Sequence, residues 1–389
     1  MNQLLQSRMS EALAERERYG LKRSNSLFEA GTGREIETAG QRYLNFAGND
    51  YLGLARHPLV IRAWQRGAEC YGVGSGGSAL ITGHCRAHMS LTETLCAFTG
   101  YPAALLFSSG FAANHGLLSS LLKPGDRLLQ DRFNHASLLD GGLASGARMV
   151  RFGHNDLADL AHWLDKAASP EAATLVVSEG VFSMDGDGAP VAEMAALCRD
   201  HGASLLIDDA HGIGVSGDGR GALAAVGPDQ LPLYMATFGK ACGVGGAFVA
   251  SDEQTIDYLT NFCRHYIYTT AMPPAQAMAI QAAIQLIRDD AGPRQQLLAL
   301  VERFRRGAAE LGLPLMASGS AIQPLLIGDV TQTLNLAYAL RQRGLWTGAI
   351  RPPTVPAGQA RLRITLSALH QEQDIDRLLE ALDQCWRKG

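Results

Sequence analysis

Short apolar runs alternate with stretches of helical periodicity through the middle of this chain, and this alternation constrains the fold more than any other feature. Runs typical of buried strands lie at 103–107, 127–130, 147–152, 174–178, 204–208, 233–237 and 247–251. Helices are predicted at about 111–122, 157–166 and 191–201, the second of them capped by Asn155 or Asp156. Strands that alternate with helices predict an α/β fold with a largely parallel sheet. Ligands of such sheets bind at the carboxyl ends of the strands.

The pattern changes at Met272-Pro273-Pro274. A long helical stretch is predicted from Ala275 to about Leu311, followed by strands at 325–327 and 362–366 and a final amphipathic helix. We interpret this part as a smaller α+β domain that the long helix joins to the first. The chain is therefore divided into an N-terminal helix and small strand segment (1–48), a large domain (49–285) and a small C-terminal domain (286–389).

Composition and charge exclude several classes of protein. The net charge of −4 provides no basic surface for nucleic acid, and 47% hydrophobic residues are enough for a sizeable core. No run of 18 apolar residues is present, so no membrane span is expected. The segment 1–18 has charges between its apolar residues Leu4, Leu5, Met9 and Leu13, which predicts an amphipathic helix rather than a signal peptide. Seven cysteines without a C-x-x-C pair indicate free thiols in a reducing compartment, and a cytoplasmic protein is expected.

Two familiar motifs occur in the wrong context. Residues 72–77 match G-x-G-x-x-G, but a dinucleotide fingerprint follows a strand, whereas a helix is predicted at 58–69. A tight loop that contacts substrate is the better interpretation. His84 and His88 have the spacing of zinc ligands, but Cys85 stands where a zinc protease has glutamate. No metal site is predicted.

Lys240 is the lysine whose surroundings favour chemistry. The other lysines, at 22, 123, 166 and 388, occupy polar segments, whereas no other charged residue occurs between Leu231 and Ala250. Poor hydration of an ammonium group lowers its pKa, which makes the amine a nucleophile toward carbonyl groups. The alternative is a lysine whose side chain extends out of a loop into solvent.

Two polar residues follow the strand at 204–208. Asp208 ends that strand, where a buried carboxylate needs a partner such as a protonated ring nitrogen. His211, three residues later, can donate a hydrogen bond to a phenolate-type oxygen. A metal site and a structural Asp–His pair are the alternatives.

Three further positions complete the ligand set of one cofactor. Gly110 and Phe111 begin a helix directly after a strand, where free N–H groups favour a phosphate, and the Thr237 hydroxyl could bind the same phosphate. His135 follows another strand and could stack on a flat ring, although an ordinary loop histidine is equally compatible. Pyridoxal 5′-phosphate (PLP) requires such a set of groups. It needs donors for its phosphate, a side chain that stacks on its ring, an acid for the ring nitrogen, a hydrogen-bond donor for the ring oxygen, and a lysine.

The motifs Asp208-Asp209-Ala210-His211-Gly212 and Thr237-Phe238-Gly239-Lys240 resemble the α-oxoamine synthases, PLP enzymes of fold type I. These enzymes condense an amino acid with an acyl-CoA and release CO2. Residues 45–46 and 49–54 are similar across that family, and 74–78, 179–187 and 350–356 resemble its biotin-pathway branch, which uses L-alanine and pimeloyl-CoA or a pimeloyl carrier-protein thioester. Ala79-Leu80 departs from many relatives in the loop expected to bind the acyl chain. The resemblance implies an aspartate aminotransferase-like large domain that binds PLP at 49–285, a smaller α+β domain and a homodimer with shared sites.

The resemblance also implies a role for each site residue. The catalytic residues would be Lys240, which forms the Schiff base and moves the α-proton, with Asp208, His211 and His135. The cofactor would further be held by Gly110, Phe111, Thr237, Ser183 and, across the dimer interface, Thr269 or Thr270. The substrate would be bound by Arg363 and Asn49 at its carboxylate and by Arg23, Thr354 and His135 elsewhere.

Other functions remain as alternatives. Relatives that use glycine make 2-amino-3-oxobutyrate from acetyl-CoA or 5-aminolevulinate from succinyl-CoA; the glycine-rich loop at 72–77 and the run at 352–356 favour the alanine enzyme over both. A non-catalytic partner subunit of the same family would lack the lysine, which this chain retains as Lys240.

Overall fold

A computed structural model describes residues 1–166, 169 and 171–386, so Lys388, predicted to be solvated, lies outside the described residues. The strands, in chain order, are β1 (Ala30–Thr32), β2 (Glu35–Thr38), β3 (Gln41–Phe46), β4 (Ala103–Phe107), β5 (Arg127–Asp131), β6 (Arg148–Phe152), β7 (Thr174–Glu179), β8 (Ser204–Asp208), β9 (Leu233–Thr237), β10 (Ala247–Ser251), β11 (Ile322–Gly328), β12 (Leu345–Ile350) and β13 (Ala360–Thr365). The helices are α1 (Gln3–Arg18), α2 (Pro58–Tyr71), α3 (Arg86–Thr99), α4 (Gly110–Leu121), α5 (Ala136–Ser145), α6 (Leu157–Asp165), α7 (Val191–Asp200), α8 (Glu253–Phe262), α9 (Arg264–Ile267), α10 (Pro274–Asp289), α11 (Gly292–Glu310), α12 (Val330–Arg341) and α13 (Glu372–Trp386).

A seven-stranded sheet, in the order β4-β10-β9-β8-β7-β5-β6, forms the centre of the described chain. Strands β6, β5, β7, β8 and β9 are parallel to one another, whereas β10 is antiparallel to both β4 and β9. Leu205 and Ile207 of β8 belong to one apolar core and Leu206 to a second, so the sheet is covered on both faces. Strands buried on both faces are apolar throughout, which makes them visible in the sequence. The predicted α/β fold with a largely parallel sheet is confirmed.

A second sheet, in the order β1-β2-β3-β12-β13-β11, combines the two ends of the chain. Strand β3 pairs in parallel with β12, with Leu44 opposite Leu345, and β12 pairs with β13. The chain leaves β3 only three residues before Asn49, so this pairing brings Asn49 near Arg363 of β13. Helix α12 was not predicted. Strand β12 was not predicted either, because 345–350 is a mixed, half-buried segment that includes Gly348.

The single long helix predicted from Ala275 to Leu311 is wrong. The structure has two helices there, α10 and α11, separated at Asp290-Ala291. Pro293 lies in the first turn of α11, where its missing N–H costs nothing, whereas within one continuous helix it would remove a hydrogen bond to the carbonyl four residues earlier. The Asp290 carboxylate also accepts the N–H of Gly292 at 2.8 Å, a local hydrogen bond that competes with continuation of the helix.

Helix α1 confirms the predicted N-terminal helix and begins after Asn2, whose side chain accepts the N–H of Leu4 at 2.8 Å. No residue of the helix is buried, and its apolar side chains at 4, 5, 9 and 13 are 45–59% exposed. Across the described residues, no helix combines the length and the apolar character that a membrane crossing requires.

Candidate active site

The carboxyl ends of β7, β8 and β9 place three polar side chains next to one another. Glu179 of β7 is paired with Asp208 of β8, and Thr237 ends β9 two residues after Met235, the partner of Asp208. Lys240 follows Thr237 by three residues. The parallel strands therefore gather an acid, a hydroxyl and the predicted lysine at one edge of the sheet, where ligands of such sheets bind.

Lys240 lies in a poorly hydrated position. Burial lowers the pKa of its ammonium group, and the nearby Arg363 guanidinium lowers it further, while Asp208 and Glu179 act in the opposite direction. The predicted reduction of the Lys240 pKa is confirmed. A larger share of neutral amine, the nucleophilic and proton-accepting form, is therefore available. The lysines at 22, 123 and 166 are exposed, as predicted.

Asp208 is buried and held in place by two donors. Its Oδ2 accepts a hydrogen bond from Asn114 Nδ2 at 2.6 Å, and its Oδ1 accepts from the N–H of Ala210 at 3.0 Å. Asn114 lies on α4 and is 1% exposed. Asn114 was not predicted as a site residue, although a polar residue on an otherwise apolar helix face was the available signal.

His211 is fully buried beside cations. Burial lowers the pKa of its imidazole well below the ordinary value, and the charges of Lys240 and Arg363 lower it further. The Tyr51 hydroxyl lies 2.7 Å from His211 Nδ1. His211 is therefore a neutral group with one ring nitrogen engaged by a hydroxyl. Tyr51 was quoted only as part of the 49–54 motif, and its role could not be foreseen because 160 residues separate it from His211.

Gly110, Phe111 and Thr237 form a cradle suited to an anion. Gly110 and Phe111 start α4, where helical N–H groups have no preceding carbonyl to bond. Thr237 Oγ1 is buried and makes no hydrogen bond to any described residue. A Cβ atom on Gly110 would lie 2.5 Å from Thr237 Cγ2, so only glycine permits this close approach. An unsatisfied buried hydroxyl beside a helix N-terminus fits a phosphate.

His135 caps the start of α5, where its side chain accepts the N–H of Ser137, and the residue is exposed. Its ring lies edge-on to Phe111, with 6.4 Å between the centroids. Partial burial lowers its pKa, as does Lys240, against an opposing effect of Asp208. His135 therefore lies close enough to Lys240 and Asp208 for their charges to change the pKa of its imidazole.

Arg363 and Asn49 meet at the boundary between the two sheets. Arg363 Nε donates to the carbonyl oxygen of Ser183 at 2.6 Å, and Nη1 and Nη2 each lie 3.2 Å from Asn49 Oδ1. The guanidinium is thereby fixed in orientation, and each Nη atom carries a second N–H that a carboxylate can accept from. The backbone carbonyl of Ser183 thus lies beside Arg363, while the contact predicted between Ser183 and the cofactor stays a prediction.

The remaining predicted residues lie in two other groups. Arg23 donates to Thr354 Oγ1 at 2.8 Å, in an exposed contact between the N-terminal segment and the loop after β12. Thr269 and Thr270 line a cavity of about 210 Å³ together with Ser108, which directly precedes the start of the α4 cradle. Within the described chain, Thr269 and Thr270 therefore line a cavity that adjoins the α4 cradle at Ser108, and their contact with the phosphate stays a prediction.

Two buried carboxyl groups beside Asp208 were not predicted as site residues. Burial and the charge of Asp208 raise the pKa of Glu179 well above its ordinary value. Asp209 accepts from the Tyr234 hydroxyl at 2.8 Å, and burial raises its pKa to about 7. Asp208 accepts one hydrogen bond on each of its two oxygens, whereas both donors to Asp209, the Tyr234 hydroxyl and the N–H of Ala222, bind its Oδ2.

The donor set fits PLP. The unsatisfied Thr237 hydroxyl and the start of α4 suit the phosphate, the carboxylate of Asp208 suits a protonated ring nitrogen, and neutral His211 suits the ring oxygen. Lys240 supplies an amine of lowered pKa. Such a combination of groups is what PLP binding sites present.

Known proteins match nearly the whole chain. A family model described as aminotransferase class I and II matches residues 41–382. A curated 8-amino-7-oxononanoate synthase from Pseudomonas putida is 52% identical over 381 residues, 97% of each chain, and one from Klebsiella pneumoniae is 52% identical over 382 residues, 97% of this chain and 98% of the relative. A serine palmitoyltransferase from S. paucimobilis, solved with a bound PLP–myriocin aldimine, has a TM-score of 0.92 at 31% identity and covers 98% of this chain and 97% of its own. An 8-amino-7-oxononanoate synthase from Francisella tularensis has a TM-score of 0.78 at 27% identity, with 89% and 98% covered.

Proposed function

We infer the function of this chain from its family, because the chain belongs to the class I and II aminotransferases and, within them, to the 8-amino-7-oxononanoate synthases. It is a PLP-dependent acyltransferase. It condenses L-alanine with a pimeloyl thioester and releases 8-amino-7-oxononanoate, CO2 and the free thiol, a step of biotin biosynthesis. The observation that carries the proposal is the convergence of Lys240, Asp208, His211 and Thr237 at one edge of the large sheet.

Bound PLP supplies an electron sink for the pair of electrons left when a bond to the amino-acid Cα breaks. Asp208 contributes by keeping a negative charge at the ring-nitrogen position, since Asn114 and Ala210 stabilise its carboxylate. The phosphate is held by Gly110, Phe111 and Thr237.

Arg363 and Asn49 bind the carboxylate of alanine. The guanidinium is already oriented by the Ser183 carbonyl, so little conformational freedom is lost on binding. Fixing the carboxylate also fixes the direction of the Cα–H bond. Lys240 Nζ then accepts the Cα proton, and its lowered pKa increases the share of the neutral amine that can do so.

His211 and His135 act as neutral hydrogen-bond donors. His211 would donate to the ring oxygen of PLP, and His135 would stack on the ring and donate to the reacting carbonyl. Both groups have pKa values below the ordinary value, so neither brings a second positive charge next to Lys240.

The proposal also covers the acyl donor and the oligomeric state of the enzyme. The thiol carried by the pimeloyl group is CoA or a carrier protein, and Arg23 and Thr354 contact the substrate at the surface where they meet. The enzyme is a homodimer, in which Thr269 or Thr270 of one subunit reaches the phosphate of the other. The seven free thiols support a cytoplasmic location.

Thiol release by the PLP-loaded enzyme tests this function. L-alanine with pimeloyl-CoA should release thiol and yield 8-amino-7-oxononanoate by mass spectrometry, whereas glycine with acetyl-CoA should not. Release with the glycine pair would instead assign the chain to the 2-amino-3-oxobutyrate branch. Release with neither pair would overturn the acyl specificity inferred for the loop that contains Ala79-Leu80.

A further inference from the structure

A chain of hydrogen bonds runs from Asp208 through α4 and α5 to His135. Asn114 Nδ2 lies 2.6 Å from Asp208 Oδ2 and 3.0 Å from Ser137 Oγ. Ser137 Oγ lies 2.8 Å from His135 Nδ1. Asn114 and Ser137 are each 1% exposed, so their polar atoms have these partners rather than bulk water.

The chemistry of the groups fixes the direction of this chain. The nitrogen of the Asn114 amide can only donate, so the carboxylate and the serine oxygen both accept from it. The Ser137 hydroxyl therefore keeps its own proton for another acceptor, and His135 Nδ1 is the atom within reach.

The backbone supplies a second, independent donor. The N–H of Ser137 points at the same nitrogen, His135 Nδ1, at 3.3 Å. A proton on Nδ1 would face this N–H, whereas a lone pair accepts from it. Nδ1 is thus the acceptor nitrogen, and a neutral imidazole then carries its proton on Nε2.

We propose that Asn114 and Ser137 are positioning residues that hold His135 as the neutral tautomer with its proton on Nε2. His135 then acts on the reacting carbonyl as a hydrogen-bond donor through Nε2. The inference rests on the proposed function for the identity of the reaction, but the tautomer itself follows from the contacts of the free protein. Because Asn114 also holds Asp208, a change at Asn114 disturbs two groups, whereas Ser137 is the position that separates them.

Charged neighbours of His135 also influence whether its imidazole is protonated. Asp208 and Asp140 favour protonation of the imidazole, Lys240 opposes it, and the backbone N–H of His135 is bound by Glu179. His211 lies close enough to interact with His135 electrostatically. Loss of the Ser137 donor removes one of the interactions that favour an unprotonated Nδ1.

Nitrogen-15 NMR of the PLP-loaded enzyme labelled in histidine tests the proposal directly. His135 is assigned by the signals that disappear in His135→Gln. We expect a protonated Nε2 and an unprotonated Nδ1 in the wild type. In Ser137→Ala we expect a mixture that includes the other tautomer or the imidazolium, with the wild-type pattern restored in Ser137→Thr. The matched control is Ser145→Ala, which removes another buried hydroxyl of α5, one that donates to the Gly142 carbonyl and accepts the N–H of Ala147.

Kinetics provide the second readout. Ser137→Ala should lower kcat roughly tenfold, the equivalent of one lost hydrogen bond, with the KM for alanine unchanged, and Ser145→Ala should leave both unchanged. A proton on Nδ1 in the wild type, or a Ser137→Ala spectrum identical to it, would overturn the proposal. If the wild type failed to turn over alanine and pimeloyl-CoA, the proposed function would fail, but the NMR result would still decide the tautomer.

Discussion

Two histidines in this molecule, His211 and His154, take opposite charge states within one fold. His211 is buried beside Lys240 and Arg363, which lower its pKa well below the ordinary value. His154 lies between two carboxylates, with Nδ1 3.0 Å from Asp131 Oδ1 and Nε2 2.9 Å from Asp187 Oδ2. These carboxylates raise its pKa to about 10, against the desolvation that opposes its charge.

The difference shows how neighbours decide what a histidine does. His211 is neutral and can serve as a hydrogen-bond donor to a ligand, whereas His154 is a cation that binds parts of the structure to one another. We call Asp131, His154 and Asp187 the histidine clamp. It joins the last residue of β5 to the segments that follow β6 and β7. The chain after β5 leads to His135, and the segment after β7 contains Ser183. The clamp therefore holds site loops in place without being part of the reaction.

Replacing Lys240 should give the largest effect, because it removes both a reacting group and a cation next to His211. Lys240→Ala should reduce kcat by about 10³-fold or more while PLP still binds noncovalently. Turnover and PLP absorbance after desalting measure the two effects. Lys123→Ala, which removes an exposed lysine, is the control. Turnover of Lys240→Ala close to that of the control would contradict the site.

Replacing the clamp histidine should reduce stability rather than abolish chemistry. His154→Gln leaves Asp131 without its cation, and loss of one partner of a buried pair costs about 3 kcal/mol in the free energy of unfolding. Denaturant unfolding at pH 7 measures it. The control is His201→Gln, which breaks an exposed pair with Asp165 and should have no measurable effect. An equal loss in the free energy of unfolding of the two variants would contradict the stabilising role given to the clamp.

Arg363→Lys should weaken substrate binding by a smaller amount. A lysine keeps the charge but cannot present two parallel donors, so the KM for alanine should rise by roughly 10- to 100-fold with PLP affinity unchanged. Steady-state kinetics and a PLP titration separate the two quantities. An unchanged KM would place the alanine carboxylate elsewhere.

The pH dependence of stability sharpens the comparison between the histidines. The folded pKa of His154, about 10, exceeds its ordinary value of about 6.5, so its stabilising contribution is complete below about pH 6.5 and is lost as the pH rises toward 10. The free energy of unfolding should therefore fall between pH 7 and 9.5, and fall less in His154→Gln. His211 acts in the opposite direction: its lowered pKa destabilises the fold only as the pH falls below about 6.5. Parallel curves for wild type and variant would refute the charge assigned to His154.

The sequence was most informative where one local cause decides the outcome. Strands β8, β9 and β10 were predicted to the residue because their burial on both faces leaves an uninterrupted apolar run. Lys240 stood out because a charge-free segment surrounds it, and this environment persists in the folded protein. Asp208 and His211 were found because strand ends predict where ligands bind.

The missed features depend on contacts between distant segments. The tertiary structure brings together residues that are far apart in the chain. Asn114 binds Asp208 across 94 residues, and Tyr51 binds His211 across 160. Ser137 matters because it links Asn114 to His135. The clamp was missed for the same reason, since Asp131, at the end of β5, and Asp187, in the segment after β7, flank His154 from different parts of the chain. The division into domains at 48 and 285 stays a prediction.

The most direct test of the account is to identify the residue that becomes covalently linked to PLP. The PLP-loaded enzyme is reduced with borohydride, digested and analysed by mass spectrometry. We predict that the reduced cofactor is found on the peptide that contains Lys240, and on no peptide of Lys240→Ala treated in the same way. Attachment to Lys22, Lys123 or Lys166 in the wild type would contradict the central role given to Lys240.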